Sequence, residues 1–274
     1  MNRVPGWDPK HTGDNVHLVQ LFGADRQPLI SRLSTYFAEG LRNGDGLLIV
    51  SGRSLFDALL PGLVQVQHGR AAEGSLWRSL RFIDAHELLE RISIADEPDW
   101  DAFESAVTSE LEKLARACGC KRVRVYGEMV GLLWTQGRRA SALQLENFWN
   151  RLLEWSDFDL YCGYPIDIFS ADFALGAVDG VFCAHTHLVS SAPDTALEDA
   201  VERGMREVLG TRVERLRALM KANFRPAWAN VPRGESLILW LRNNLPDEAE
   251  NILARARAHF EARAHGVPLA TEPA

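Results

Sequence analysis

From residue 16 onward, short apolar runs alternate with stretches in which apolar residues recur every three or four positions. This alternation predicts a mostly parallel sheet with helices on both faces, an α/β fold. VHLVQLF (16–22) predicts the first strand. Leu29, Leu33, Phe37 and Leu41 then stand four apart, the spacing of one buried helix face, and the glycines of RNGDG (42–46) predict where that helix stops. GLLIVSG (46–52) is continuous and apolar, as a central strand buried on both faces should be. SLFDALL (54–60) predicts a short helix, and the stretch from Pro61 to Leu76 a glycine-rich loop. LRFIDA (80–85) predicts a third strand that leads into HELLERI.

A longer helix follows, with Phe103, Val107, Leu111 and Leu114 inward, Asp101 and Glu104 in capping-box spacing, and Gly119 as its stop. It feeds VRVYGEM (123–129), a fourth strand with Gly127 and Glu128 at its carboxyl end. Ser141 and Gln144 have capping-box spacing ahead of a helix that turns Leu145, Trp149 and Leu152 inward. DLYCGYPI (159–166) and VFCAHTHLV (181–189) predict the last two strands. Beyond Pro193 the texture changes: Val201, Met205, Leu209, Val213, Leu216 and Met220 form an apolar stripe along a charged helix, and FRPAWANVPRG breaks it from a second helical stretch. The chain therefore divides into a flexible N-terminus (1–15), an α/β domain (16–190) and a helical tail (191–274) whose last residues, VPLATEPA, fray. The stripe either packs on its own sheet or serves for dimerisation or partner docking.

Composition narrows the function classes. At 274 residues, 46% hydrophobic and 24% charged, the chain can bury a full core, so a folded and not a disordered protein is expected. A formal net charge of −7 gives no footprint for nucleic acid or an anionic membrane surface. The first fifteen residues lack the apolar core of a signal peptide, and no apolar run reaches the roughly 18 residues of a membrane span, so the expected location is the cytoplasm. Four cysteines, Cys118, Cys120, Cys162 and Cys183, are then expected as free thiols.

The first strand is followed by GADRQPLISRL (23–33), which lacks a glycine–lysine–serine/threonine, and no lysine occurs between Lys10 and Lys113. ATP hydrolysis through a phosphate loop is disfavoured. Neither a nucleophile elbow nor a metalloprotease helix occurs, so the expectation is a protein without catalytic residues or a resident cofactor. Ligands of open α/β sheets bind outside the carboxyl ends of the strands. Glu128 lies at such an end, where a carboxylate caps the next helix, pairs with an arginine or faces a pocket. Cys162 and Tyr164 end the fifth strand, His185 lies on the last, and Glu146 sits on a helix among Leu145, Phe148 and Trp149. Polar groups amid aromatics, with Trp134 or Trp149 as apolar wall, are what a small-molecule pocket requires. Cys183, His185 and His187 alternate, so on a strand all three would share a face and, with Glu128 or Glu146, would suit a transition metal; the other reading is local hydrogen bonding.

GDNVHLVQLF (13–22), FAEGLRNGDGLLIV (37–50), FIDAHELLERI (82–92), VRVYGEMVGLLW (123–134), ALQLENFWNRL (142–152), LYCGYP (160–165) and FCAHTHLV (182–189) run in order across about 175 residues. Together they resemble the MEDS domain, the sensory domain of methanogen, methylotroph and dichloromethane-repressor regulators. The resemblance implies sensing of small organic molecules such as simple hydrocarbon derivatives, and a signalling partner such as a histidine kinase or transcription regulator. It also implies a strand order similar to KaiC/RecA-type ATPases without the phosphate loop. The polar motif positions that it carries over are His17, Asp84, Glu87, Glu128, Glu146, Tyr164 and His185. The expected function is a non-catalytic ligand sensor; the alternative is an enzyme or nucleotide-binding remnant using Glu128 and His185.

Overall fold

The apolar run Gly46–Ser51 forms a strand in which every residue is buried, and so do His17–Leu21, Val123–Gly127 and Phe158–Tyr164. Strands are buried whole in this way when helices cover both faces of a parallel sheet. The structure, a computed structural model, describes residues 15–68, 76–190, 194–216 and 230–264. Its elements are β1 (His17–Leu21), α1 (Gln27–Asn43), β2 (Gly46–Ser51), α2 (Arg53–His68), α3 (Leu76–Ser79), β3 (Leu80–Asp84), α4 (Ala85–Arg91), the hairpin strands β4 (Ser93–Ile94) and β5 (Glu97–Pro98), α5 (Trp100–Cys118), β6 (Val123–Gly127), α6 (Met129–Thr135), α7 (Arg139–Leu153), β7 (Phe158–Tyr164), α8 (Asp179–Ala184), β8 (His187–Val189), α9 (Asp194–Leu209), α10 (Arg233–Asn244) and α11 (Pro246–Ala264).

Six strands pair in the order β3-β2-β6-β7-β1-β8, and each pairing is parallel. The predicted α/β sheet with a C-terminal helical region is thus what the chain forms. Because side chains alternate along a strand, the two faces have different cores. Leu18, Leu47, Ile49, Tyr126 and Tyr161 meet α1 and α2 on one face. Val19, Leu48, Val125, Leu160 and Cys162 meet the larger cluster with α4 to α8 and the C-terminal helices on the other. β1 lies between β7 and β8, so the first strand is placed by chain 140 or more residues away in sequence, with Val19 opposite Cys162 and Leu188.

Several local expectations are corrected. The run 181–189 is not one strand: Val181 and Phe182 are buried on the short helix α8, the chain extends at His185, and only His187–Val189 joins the sheet. A two-sided apolar run is satisfied equally by a short buried helix, which periodicity cannot tell from a strand. α2 continues through Pro61 to His68 instead of ending at residue 60, because Leu55, Phe56, Leu59 and Leu63 make one buried face; residues 69–75 of the expected loop lie outside the described residues. The cap of α5 is Asp99, which accepts from the Ala102 amide, while Asp101 stands inside the first turn. Ser141 and Gln144 lie within α7 and bond across to the hairpin, to the Glu97 carboxylate at 2.6 Å and the Pro98 carbonyl at 3.1 Å. Cys118 and Cys120 are joined in a disulfide rather than being free, since the left-handed turn at Gly119 brings their Cα atoms to 5.2 Å; Cys162 and Cys183 are free.

The tail folds back on the chain. Val201, Met205 and Leu209 of α9 are buried in the same cluster as Ile238 of α10 and Ile252 of α11. α9 and α11 approach so closely that a Cβ on Gly204 would lie 2.5 Å from the Ile252 carbonyl oxygen. The stripe from Val201 to Leu209 is covered by its own chain, and Met220, like residues 1–14 and VPLATEPA, lies outside the described residues. Arg242 of α10 fixes the tail to the loop after β7, donating to the carbonyls of Phe169 at 3.0 Å and Phe173 at 2.6 Å. No described helix is long and apolar enough to cross a membrane.

Candidate functional site

His17 opens β1 opposite Leu160, Cys162 stands two residues further along β7 and so diagonal to it across the ladder, and both project to the face that α7 covers. One α7 turn delivers Glu146 and Asn150, four residues apart and therefore on one side of the helix. α8 ends at Ala184 and the chain leaves it extended at His185, which turns that ring into the same space. The result is a buried cluster in which His17, Glu146, Cys162 and His185 each contribute a ligand-type atom, all within 4.8 Å of one another. Glu146 Oε2 lies 3.3 Å from His17 Nε2, and Glu146 Oε1 lies 3.3 Å from His185 Nε2. Cys162 Sγ is 3.4 Å from His17 Nε2 and 3.7 Å from Glu146 Oε2. The Tyr164 hydroxyl donates to Glu146 Oε1 at 2.8 Å.

The partners behind the rings fix their tautomers. His185 Nδ1 faces the Val181 carbonyl at 2.6 Å, and a carbonyl only accepts, so Nδ1 carries a proton. Asn150 donates through Nδ2 to the Ala184 carbonyl at 2.9 Å, which turns its Oδ1 to His17 Nδ1 at 2.9 Å. His17 therefore also donates from Nδ1. In their neutral forms both rings aim an Nε2 lone pair at the carboxylate, and His185 Nε2 has no hydrogen-bond partner.

The electrostatics follow from burial and crowding. Burial lowers the His17 pKa below its usual 6.5, and His185 pushes the same way against the attraction of Glu146. Burial works to raise the Glu146 pKa, but the positive charge that His185, and after it His17, carries when protonated outweighs burial and holds the carboxyl well below its usual range. The Cys162 thiol is pushed far up by burial and then by Glu146. The Tyr164 hydroxyl is pushed up by the same two causes, so it acts as a donor and not as a phenolate.

Of the residues singled out in the sequence, the structure brings together His17, Glu146, Cys162, Tyr164 and His185. Trp134 stands beside them with its ring edge-on to Tyr164 at 5.4 Å. That contact depends on α6 lying against β7, where a Cβ on Gly131 would come 2.5 Å from the Gly163 carbonyl oxygen. Trp149 instead packs into the hydrophobic core against Phe103 and Phe158. Glu128 shares no hydrogen bond with the cluster. It occupies the N-cap position of α6 without capping it, and its carboxylate accepts from Arg26 and from the Gly52 amide at 2.6 Å, tying the loops after β1 and β2 to the end of β6. Asp84 caps α4 through the His86 and Glu87 amides, with Glu87 in the first turn. The metal set Cys183, His185 and His187 does not form, because Cys183 lies exposed on α8 and His187 on β8. Asn150 was not singled out; its place one helical turn after Glu146 was the only signal for it.

Residues 16–186 match the family described as the MEthanogen/methylotroph, DcmR Sensory domain, MEDS, and the chain belongs to that family. It is therefore a member of a sensory domain family, and every residue of the buried cluster falls within the matched segment. No curated protein matches the chain.

Proposed function

We propose that this chain is a non-catalytic cytoplasmic sensor that binds a small organic molecule and relays the event to a signalling partner such as a histidine kinase or transcription regulator. The observation that carries the proposal is the buried cluster of a sensory-family chain: an ionised Glu146 between two imidazoles, with Tyr164 and Trp134 alongside. A buried set of titratable groups with strongly shifted pKa values is a mark of functional sites. The polar heart of the ligand site is then Glu146, Tyr164 and His185 on the sheet face beneath α7, with Trp134 as apolar wall, and not Glu128.

The relay is supported by hydrogen bonds between the cluster and the tail. Thr186, next to His185, donates from its amide and its hydroxyl to the His17 carbonyl at 2.8 Å. Asn230, three residues ahead of α10, accepts at its carbonyl from the Leu188 amide at 3.1 Å and donates from its amide to the Thr186 carbonyl at 3.3 Å. A shift of His185 on ligand binding moves the edge strand β8 and the segment that leads into α10. A ligand acts through such an element by the difference in its affinity for the two states.

The test is a thermal-shift and calorimetric screen of short-chain halides, alcohols and amines on the wild type and on Glu146→Gln. Saturable binding without product formation, lost in Glu146→Gln, supports the sensor. Turnover that vanishes in Glu128→Gln would replace it with the enzymatic alternative.

A further inference from the structure

We propose that His17 Nε2, Glu146, Cys162 Sγ and His185 Nε2 are the four ligands of a divalent transition-metal ion of the zinc class. The proposal rests on the same cluster as the sensor reading but goes beyond it, since it concerns the ion and not the organic ligand. Three observations carry it.

The first is spacing. A tetrahedron with metal–ligand bonds of about 2.0–2.3 Å has edges of roughly 3.3–3.8 Å. With Glu146 Oε2 as the carboxylate ligand, its separations from His17 Nε2 and Cys162 Sγ and the separation between those two atoms are 3.3, 3.7 and 3.4 Å; His185 Nε2 lies 3.3 Å from the other oxygen, Oε1, and one ligand-type atom from each of the four residues falls within 4.8 Å of the rest. Among the described residues no other group of three or more histidine, cysteine or carboxylate side chains is brought together in this way.

The second is the orientation of the rings. Asn150 Oδ1 and the Val181 carbonyl hold the two Nδ1 protons, so both Nε2 lone pairs point inward, toward carboxylate oxygens that are also electron-rich. Lone pairs facing lone pairs at 3.3 Å repel, and a cation at their centre turns the repulsion into coordination. Histidine ligands anchored through the second ring nitrogen by an amide or carbonyl oxygen are the usual outer support of metal sites. His185 Nε2, fully buried and without a hydrogen-bond partner, is the atom most in need of such a cation.

The third is charge. On binding, the Cys162 thiol releases its proton to solvent and the sulfur becomes a thiolate ligand. Two neutral imidazoles, one carboxylate, one thiolate and a divalent ion sum to zero, which suits a site with every ligand buried. The mix of thiolate and imidazole favours zinc, or cobalt as its spectroscopic substitute, over magnesium or calcium.

The experiment is a cobalt(II) titration of the full chain after chelator treatment, followed by native mass spectrometry with zinc. The expected result is one ion per chain, with tetrahedral d–d bands and a thiolate-to-cobalt charge-transfer band. Cys162→Ser should lose the charge-transfer band while keeping its far-ultraviolet dichroism. Asn150→Ala, which leaves all four ligands in place, should bind about 10–100-fold more weakly. Wild-type protein that takes up no stoichiometric ion, or whose cobalt spectrum is octahedral without the thiolate band, overturns the proposal without reference to any variant. An unchanged charge-transfer band in Cys162→Ser also overturns it. Repeating the organic screen on metal-free and metal-loaded protein separates this proposal from the sensor reading: organics that bind in both states leave the sensor standing if the ion fails, and the reverse holds if only the ion binds.

Discussion

Replacing Glu128 by alanine tests whether this carboxylate supports the fold or touches ligand. Its side chain is 9% exposed, and it holds the Gly52 amide and the Arg26 guanidinium. Truncation leaves the Gly52 N–H without its acceptor. The cost of an unpaired donor is about 1–3 kcal/mol, and the lower half applies because Gly52 is only half-buried and water can reach it. The ion pair adds at most about 1 kcal/mol, since the Arg26 side chain is 36% exposed and solvent screens it. The sum is about 2 kcal/mol. For a chain of this size that corresponds to a fall in melting temperature of roughly 4–8 °C. Glu128→Gln keeps an oxygen for the Gly52 amide and loses only the charge, so its fall should stay within about 2–4 °C. Thermal denaturation followed by circular dichroism, without added ligand, measures both. An alanine variant that melts with the wild type would refute the clasp and return Glu128 to the binding site.

Further outcomes follow from the same contacts. In chelator-treated protein, stability should fall as pH drops: unfolded His17 takes up a proton near 6.5 while the folded form, with its pKa lowered, resists it, and Glu146 adds the same effect below about 4.5. The upper limb should approach 1.4 kcal/mol per pH unit at most, roughly the value for one proton, and a melting temperature flat between about pH 7.5 and 5.5 would contradict it. Gly131→Ala should cost about 1–3 kcal/mol by forcing α6 away from the Gly163 carbonyl, and should loosen the Trp134–Tyr164 contact, read as a change in tryptophan fluorescence. Arg242→Ala leaves the Phe169 and Phe173 carbonyls unpaired and should cost about 2–3 kcal/mol, with faster hydrogen exchange in α10 than elsewhere; uniform exchange would argue against a localised link to the tail.

The sequence by itself determined the layer order. Strands such as Gly46–Ser51 and Val123–Gly127 are apolar on both faces, so they demand helices above and below, and the helix face Leu29, Leu33, Phe37 and Leu41 is legible because its period belongs to one element. Glycines with left-handed backbones end α1 and α5 where expected, at Gly44 and Gly119, because that preference is local. Glu146, Cys162, Tyr164 and His185 were also visible as polar residues in apolar surroundings, and His17 through the family resemblance alone. What tertiary structure alone decided is which of them meet. Placing β1 between β7 and β8 unites residues up to 168 positions apart, and strand order is set by packing of whole elements that no local pattern encodes. The same holds where burial outweighed local signals: Val181 and Phe182 read as strand but close a helix, Pro61 is held inside α2 by the burial of Leu63, and Glu128 finds Arg26 across 102 residues of chain. Spacing along the chain placed Cys183, His185 and His187 together; the fold kept only His185, because a side chain's neighbours are chosen by where its backbone leaves the helix.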